Sequence, residues 1–260
     1  MRKMSIGLQL FTMREQLAAD FEGTLRKVAE LGYEGVEFYT YGNFSAKDMK
    51  ALLDELGLKA IGSHIQLQAL KDNLQAEIEY LKVIGAKYAI CPWLPLEIRD
   101  EESWKQHLVD FAEVARVCSE KDITFLYHNH DFEFTTKLDG KPVFEVLFDS
   151  ISPEHLKVEM DIGWVQYAGI EPVSYIHKYA GRLPLLHLKD YLKVSRDPEK
   201  SIDTVELGQG DLPLLNIIQA ASDASVEWII VEQDSCVNSP FECIATSLQW
   251  LKDNYLFQIK

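Results

Sequence analysis

Cysteine is scarce in this sequence, and so are long apolar runs. The chain has four cysteines in 260 residues, and no two of them have a C-x-x-C spacing. This argues against a disulfide framework and predicts reduced thiols in a cytoplasmic protein. No apolar run approaches the roughly 20 residues that cross a bilayer, which predicts no membrane partner. No Pro/Gly/Ser-rich linker divides the chain, so we expect one domain over residues 1–260.

Basic residues are also few. Lysine and arginine total 26 against 41 aspartates and glutamates, which gives a net charge of -15. A surface of this charge argues against a nucleic-acid partner and against docking to anionic lipid. No cluster of lysine or arginine marks a phosphate pocket, so a phosphorylated and a non-phosphorylated small molecule both remain open.

The sequence alternates strand-like and helix-like segments from end to end. A length of 260 residues suits a (β/α)₈ barrel, which needs about 250 residues. The predicted strands are Met4–Leu10, Gly35–Tyr39, Lys59–Ile65, Lys87–Pro92, Ile123–Asn129, Leu156–Ile162, Leu183–Leu188 and Trp228–Val231. The predicted helices are Phe21–Leu31, the helix capped by Ser45 up to Leu56, Asp72–Ile84, a long helix capped by Ser103, Phe144–Phe148, Pro172–Ala180, Leu212–Ala221 and Pro240–Asn254.

These segments predict an α/β fold, a single TIM barrel. A doubly wound sheet is the alternative, but no Gly-rich nucleotide-binding turn follows an early strand. In a barrel of this kind the chemistry lies at the carboxyl ends of the strands. Polar side chains end six of the predicted strands, at Glu37, His64, His128 with His130, Asp161, His187 with Lys189, and Glu232. Such a mixed set of oxygen and nitrogen ligands suits Mn²⁺, Mg²⁺, Co²⁺ or Zn²⁺.

Strand periodicity refines this set, because residues two apart point to the same side. Glu159 lies one step deeper than Asp161, where its charge needs a partner such as a buried lysine or arginine. Lys189 lies just above His187, and a metal and substrate nearby would lower its pKa toward that of a general acid or base.

Several motifs together resemble the sugar phosphate isomerase/epimerase proteins, which are xylose isomerase-like TIM barrels of the AP endonuclease family 2 superfamily. The motifs are GLQLFTMRE, LGYEGVEF, YHNHDFEF, EMDIGWVQYAG, AGRLPLLHLKD, ELGQGD and VEQD. They cover nearly the whole chain in the order of that family. The resemblance does not define the substrate.

The resemblance implies a divalent metal at the barrel mouth, with Mn²⁺ favoured and Mg²⁺, Co²⁺ and Zn²⁺ as alternatives. Three family ligands fall on Asp161, His187 and Glu232. At the fourth position the epimerases have a glutamate, whereas this chain has His128, with His130 as the alternative fourth ligand. Trp164 stands where endonuclease members have a further histidine ligand, which argues against DNA repair.

The function that we expect is a metal-dependent sugar isomerase or epimerase that abstracts a proton next to a carbonyl through an enediolate. Glu232 or His130 removes the proton, and Lys189 or His64 returns one. Glu37, Trp93 and Trp164 are expected to contact the substrate.

Two alternatives to this function stay open. One is a metal-dependent lyase or dehydratase that acts on a keto-sugar, a keto-inositol or a 3-keto-glycoside. The other is a sugar-binding barrel without catalysis. In every case the expected partner is a small sugar or sugar derivative, and homo-oligomerisation stays open.

Overall fold

Eight parallel strands close into a barrel in the computed structural model, which describes residues 3–193 and 203–256. The strands neighbour one another in chain order, and the last pairs with the first, Ser5 lying opposite Trp228. The predicted TIM barrel is therefore confirmed. The barrel strands are Ser5–Gln9, Gly35–Phe38, Lys59–His64, Tyr88–Cys91, Thr124–His128, Leu156–Asp161, Leu185–Leu188 and Trp228–Val231.

Helices follow the strands and cover the outside of the barrel. Most of the predicted helices are present, with ends within a few residues of the expected ones. The α-helices are Arg14–Ala19, Phe21–Leu31, Ala46–Leu56, Leu67–Asp72, Leu74–Ile84, Glu101–Ser119, Phe132–Thr135, Val143–Ser150, Ile162–Tyr167, Pro172–Lys178, Leu214–Asp223 and Pro240–Asn254. Two 3₁₀ helices, Leu10–Met13 and Leu96–Ile98, and two short hairpins, Lys137–Leu138 with Lys141–Pro142 and Asp190–Leu192 with Asp203–Val205, complete the described elements.

Two helix predictions are wrong in detail. The long helix is capped by Asp100 rather than Ser103, because the Asp100 carboxylate accepts the backbone N–H groups of Glu102 at 3.1 Å and Ser103 at 3.0 Å. The helix predicted over 72–84 begins two residues later, at Leu74, because Asn73 has a non-helical backbone with φ of -132°. Asp72 ends a separate helix, Leu67–Asp72. The predicted Ser45 cap is confirmed, since its hydroxyl accepts the N–H of Asp48 at 3.2 Å.

The barrel interior is filled in layers. Ile61, Tyr88, Ile90, Leu126, Leu185 and Ile230 form a buried cluster that is separate from the main core between strands and helices. Two residues further along three of these strands, the side chains on the same inward face become polar. These polar positions are His128, His187 and Glu232.

A buried apolar layer therefore lies beneath a polar layer at the carboxyl ends of the strands.

In residues 3–193 and 203–256, no helix is long and apolar enough to cross a membrane.

Candidate metal centre

Four side chains that the sequence predicts as metal ligands converge at the carboxyl ends of four neighbouring strands. Each of His128, Asp161, His187 and Glu232 offers one ligand atom, and these atoms lie within 4.8 Å of one another. All four residues are buried. The separation of their atoms suits one ion, although metal binding itself stays a prediction.

Asp161 uses its two carboxylate oxygens differently. Oδ1 accepts the backbone N–H groups of Gly163 at 2.9 Å and Trp164 at 3.2 Å, which caps the short helix Ile162–Tyr167. Oδ2 is buried and has no hydrogen bond of good geometry, although Lys189 Nζ lies 2.9 Å away. The cap fixes the carboxylate in orientation and leaves Oδ2 facing the other ligands.

Asn129 holds Asp161 in place, a role that sequence reasoning missed. Its side-chain Oδ1 accepts the N–H of Asp161 at 3.0 Å, and its Nδ2 donates to the carbonyl of Asp161 at 3.1 Å. The two bonds continue the pairing of the fifth and sixth strands beyond their ends. The position of Asn129 between two histidines was the available signal, because an amide there can bind a neighbouring backbone.

Lys189 is fully buried among three carboxylates. Its Nζ lies 2.9 Å from Asp161 Oδ2, 3.1 Å from Glu232 Oε2 and 2.8 Å from Asp234 Oδ2. Burial lowers the pKa of Lys189, but the three carboxylates outweigh it and raise this pKa well above its usual value. Without an ion the three carboxylates therefore favour the charged form of Lys189, and the lowered pKa expected beside a metal and substrate stays a prediction.

A second polar layer lies beneath these ligands, built on two buried glutamates. Glu159 Oε2 lies 2.7 Å from His64 Nε2, 3.1 Å from His128 Nδ1 and 3.5 Å from His187 Nε2. The expected lysine or arginine partner of Glu159 is therefore wrong. Imidazoles supply the partners instead, because they project inward from the third, fifth and seventh barrel strands.

Glu37 belongs to the same lower layer. Its Oε1 lies 2.8 Å from His187 Nε2 and 3.1 Å from His64 Nε2, and it accepts a hydrogen bond from Gln9 Nε2 at 2.6 Å. Glu37 is fully buried and is not among the residues that line the cavity above. The structure thus places it behind the imidazoles rather than at the expected substrate contact.

A cavity of about 340 Å³ opens above the four candidate ligands. Its largely apolar lining residues are Phe11, Tyr39, Pro92 and Trp93. Its polar groups include His64, His128, His130, Lys189, Glu232 and Asp234. A pocket with apolar walls and a few convergent polar groups is typical of a small-molecule site.

The remaining predicted substrate residues differ in position. Trp93 lines the cavity and is 38% exposed. Trp164 is not among the lining residues; it packs against His130 with ring centroids 5.1 Å apart, and Lys189 Nζ lies 5.6 Å from its ring centroid. Trp164 therefore supports the site from behind.

His64 and His130 both line the cavity but differ in their surroundings. Burial lowers the pKa of His64, but Glu37 and Glu159 outweigh it and raise this pKa to about 9. Burial, together with the charge of Lys189, lowers the pKa of His130 to about 3. Environments that move two titratable groups in opposite directions are a feature of acid–base sites.

Glu133 lies behind His130 and is not among the residues that line the cavity. It accepts hydrogen bonds from the Tyr127 hydroxyl and the His130 backbone N–H, each at 2.8 Å. Burial raises the pKa of Glu133 to about 8. It orients the His130 backbone and is not placed to contact a substrate.

The charges of this region fit a divalent cation. Lys189 is the one lysine or arginine that pairs with the group of carboxylates here, within the part of the chain that the structure describes. This group consists of Glu37, Glu159, Asp161, Glu232 and Asp234. Asp161 Oδ2, which lies 2.9 Å from Lys189 Nζ, and the mixed imidazole and carboxylate donors are what a borderline divalent ion binds.

The chain is a TIM barrel, and imidazole and carboxylate groups converge at the carboxyl ends of its strands. These two features place it in the class of TIM barrels with a candidate metal centre at the mouth. Within that class, this chain belongs to the xylose isomerase-like TIM-barrel family, whose model matches residues 25–254. The family predicted from the sequence motifs is therefore confirmed.

Similar proteins include dehydratases and isomerases. The chain is 26% identical over 254 residues to the inosose dehydratase of Geobacillus kaustophilus, which covers 84% of this chain and 82% of that protein. A sugar phosphate isomerase/epimerase from Parabacteroides distasonis superposes with a TM-score of 0.79 at 22% identity, covering 97% of this chain and 94% of that one.

The IOLI protein with a bound zinc atom superposes with a TM-score of 0.78 at 15% identity, covering 96% of this chain and 97% of that one. At these identities the two structures show the shared fold.

Proposed function

We propose that this chain is a metal-dependent enzyme that removes the proton next to the carbonyl of a sugar-derived ketone and eliminates water. The observation that carries the proposal is the group of four buried ligand atoms, all within 4.8 Å, beneath a cavity of about 340 Å³. The inosose dehydratase relative supports the dehydratase outcome over the isomerase that the sequence favoured.

His128, Asp161, His187 and Glu232 would hold the ion. When bound, a divalent ion supplies positive charge that stabilises the negative charge developing on the carbonyl oxygen. His128 and Glu232 line the cavity, so a substrate there would meet the ion and the apolar lining residues together.

His130 is the best-placed base. Its ring lines the cavity, and it is not one of the four candidate ligands. Glu232 also lines the cavity, but its Oε2 is already engaged by His187 Nδ1 at 2.9 Å and Lys189 Nζ at 3.1 Å. Removal of the proton therefore falls to His130.

His64 is placed to supply the proton to the leaving group. Its ring lines the cavity, and its Nε2 is held by Glu159 and Glu37. In the elimination the C–H bond breaks as His130 takes the proton. The C–O bond then breaks, a carbon–carbon double bond forms, and the departing hydroxyl leaves as water with a proton from His64. Lys189 faces the same cavity and stabilises negative charge on the substrate oxygens.

An isomerase or epimerase is the second candidate. His130 and His64 both line the cavity, so a proton removed by His130 could be returned to the substrate by His64. The two outcomes share the first step and differ in whether the substrate loses a hydroxyl group.

The experiment is to incubate the Mn²⁺-loaded protein with a keto-inositol in D₂O and to follow the reaction by proton NMR. A panel of ketoses and 3-keto-glycosides extends the search. Loss of water supports the dehydratase, whereas deuterium incorporation without elimination supports the isomerase or epimerase. A His130→Gln variant should be inactive, and His177→Gln, which changes an exposed histidine outside the site, should retain activity.

If no compound of the panel exchanges a proton with the metal-loaded protein, the proposal fails. The sugar-binding barrel without catalysis would then account for the cavity.

A further inference from the structure

The lower polar layer contacts the candidate ligands on the side away from the cavity. Glu159 is fully buried, and its Oε2 lies 3.1 Å from His128 Nδ1. The other ring nitrogen, His128 Nε2, lies 3.9 Å from Asp161 Oδ2. That oxygen has no hydrogen bond of good geometry. The two nitrogens of one ring therefore face two different carboxylates.

This arrangement decides which nitrogen of His128 carries the proton. A neutral imidazole has one N–H donor and one nitrogen acceptor, and the partner of one nitrogen sets the role of the other. A carboxylate beside Nδ1 favours the tautomer with the proton on Nδ1. The lone pair of Nε2 then points toward Asp161, into the candidate metal centre.

The two ring nitrogens of His187 also face two different layers. Its Nε2 lies 2.8 Å from Glu37 Oε1 and 3.5 Å from Glu159 Oε2, in the lower layer. Its Nδ1 lies 2.9 Å from Glu232 Oε2, in the upper layer. Each of the two candidate imidazole ligands thus has one nitrogen toward the buried glutamates and one toward the candidate ion.

We propose that Glu159 is a positioning residue that selects the His128 tautomer and so creates the fourth metal ligand. This inference rests on the proposed metal-dependent function. A carboxylate that accepts the second N–H of a ligating histidine fixes the ring and makes the ligand more basic. Such a partner is needed most where a neutral imidazole, rather than a carboxylate, completes the ligand set.

The alternative is a second ion in the lower layer. His64, His128, Glu159 and His187 also offer atoms within 4.8 Å of one another. An ion there would need the same two imidazoles as the upper site, and it would replace the hydrogen bonds that now join these residues. One ion per chain is therefore expected, and two ions would overturn the positioning role.

The test measures the tautomer and the metal affinity separately. In the metal-free wild-type protein, the ¹⁵N resonances of the His128 ring should show the proton on Nδ1. Titration calorimetry with Mn²⁺ alone should give one equivalent. Glu159→Met, which removes the acceptor at similar volume, should bind Mn²⁺ about 10–100-fold more weakly. Glu159→Gln, which keeps an oxygen acceptor, should bind with intermediate affinity.

Glu37→Gln is the matched control. Glu37 lies in the same layer and contacts His187 and His64, so this variant should leave the His128 tautomer unchanged. A proton on Nε2 of His128 in the wild-type protein would overturn the proposal, and this readout does not depend on the folding of any variant. Wild-type affinity in Glu159→Met would also overturn it. A wild-type protein that binds no Mn²⁺ would instead overturn the proposed function.

Discussion

At the scale of single residues, Asp161 combines a structural and a chemical role. One carboxylate oxygen caps a helix and the other faces the candidate ion. Substitutions can separate these roles, because asparagine keeps an oxygen that caps a helix but loses the negative charge.

We expect Asp161→Asn to be more stable than Asp161→Ala by about 1 kcal/mol, the usual value of a helix N-cap. Both variants lose the charge beside Lys189, so their difference isolates the cap. Urea unfolding of metal-free protein measures it. Equal stabilities would contradict the capping role that the hydrogen bonds to Gly163 and Trp164 assign.

Trp93 is the aromatic residue whose contribution to binding is easiest to isolate. Its ring is 38% exposed and lines the cavity. We expect Trp93→Ala to raise the KM for a sugar-derived substrate by about 5-fold, with kcat little changed, because stacking on a sugar face gives about 1 kcal/mol. Trp93→Phe should recover most of the affinity. Steady-state kinetics of the two variants test this, and an unchanged KM for Trp93→Ala would contradict it.

The sequence predicts the residues at the site better than their contacts. Strand periodicity alone places His128 beside His130 and His187 beside Lys189. It does not place Asp234 beside Lys189, because that pairing joins a loop after the eighth strand to the end of the seventh. The charge state of Lys189 depends on such contacts between strands, so its pKa could not be predicted from neighbours in the sequence.

At the scale of elements, the helix Glu101–Ser119 gives a direct test of capping. Asp100 accepts two backbone N–H groups, and its Oδ2 also accepts the Ser103 hydroxyl at 2.6 Å. We expect Asp100→Ala to lower the free energy of unfolding by about 1 kcal/mol, and Ser103→Ala to lower it by less. Urea titration of both variants measures this. A larger loss of unfolding free energy in Ser103→Ala than in Asp100→Ala would show that Ser103 is the cap.

Long elements are predictable here and short ones are not. Helices such as Phe21–Leu31 and Pro240–Asn254 show a clear apolar stripe or a proline at the first turn. The helices Phe132–Thr135 and Ile162–Tyr167 are too short to show a period, since one period takes 3.6 residues. They form because the chain turns at the barrel mouth, where Asp161 caps the second of them.

At the scale of the whole molecule, Glu133 gives a pH dependence of stability with a defined sign. Burial raises its pKa from 4.5 in the unfolded chain to about 8 in the folded protein. Between these values the folded state holds a proton that the unfolded state has lost. The stability from Glu133 is therefore complete below about pH 4.5 and is lost as the pH rises to about 8.

We expect Glu133→Gln, which is neutral at every pH, to remove this slope. The variant should gain stability relative to the wild type as the pH rises from 5 to 8, a direction set by the raised pKa. Urea unfolding of both proteins across this range measures the difference. A difference that is constant with pH would contradict the raised pKa of Glu133.

The barrel fold can be predicted from the sequence, because strand and helix signals alternate along the whole chain. Eight apolar strands with helices between them leave few other ways to bury both faces of a parallel sheet. The lower polar layer could not be predicted as a layer, because Glu37, His64 and Glu159 meet only when the barrel closes. Its acidic members are nonetheless visible in the sequence as charges within apolar strands.

The metal content of the purified protein tests the central claim most directly. We compare the wild type with an Asp161→Asn, Glu232→Gln double variant, which removes two candidate ligand charges at nearly constant volume. We expect one equivalent of Mn²⁺, Co²⁺ or Zn²⁺ in the wild type, as purified or after loading, and its loss in the folded double variant. A folded wild-type protein that neither retains nor can be loaded with a divalent ion would contradict it.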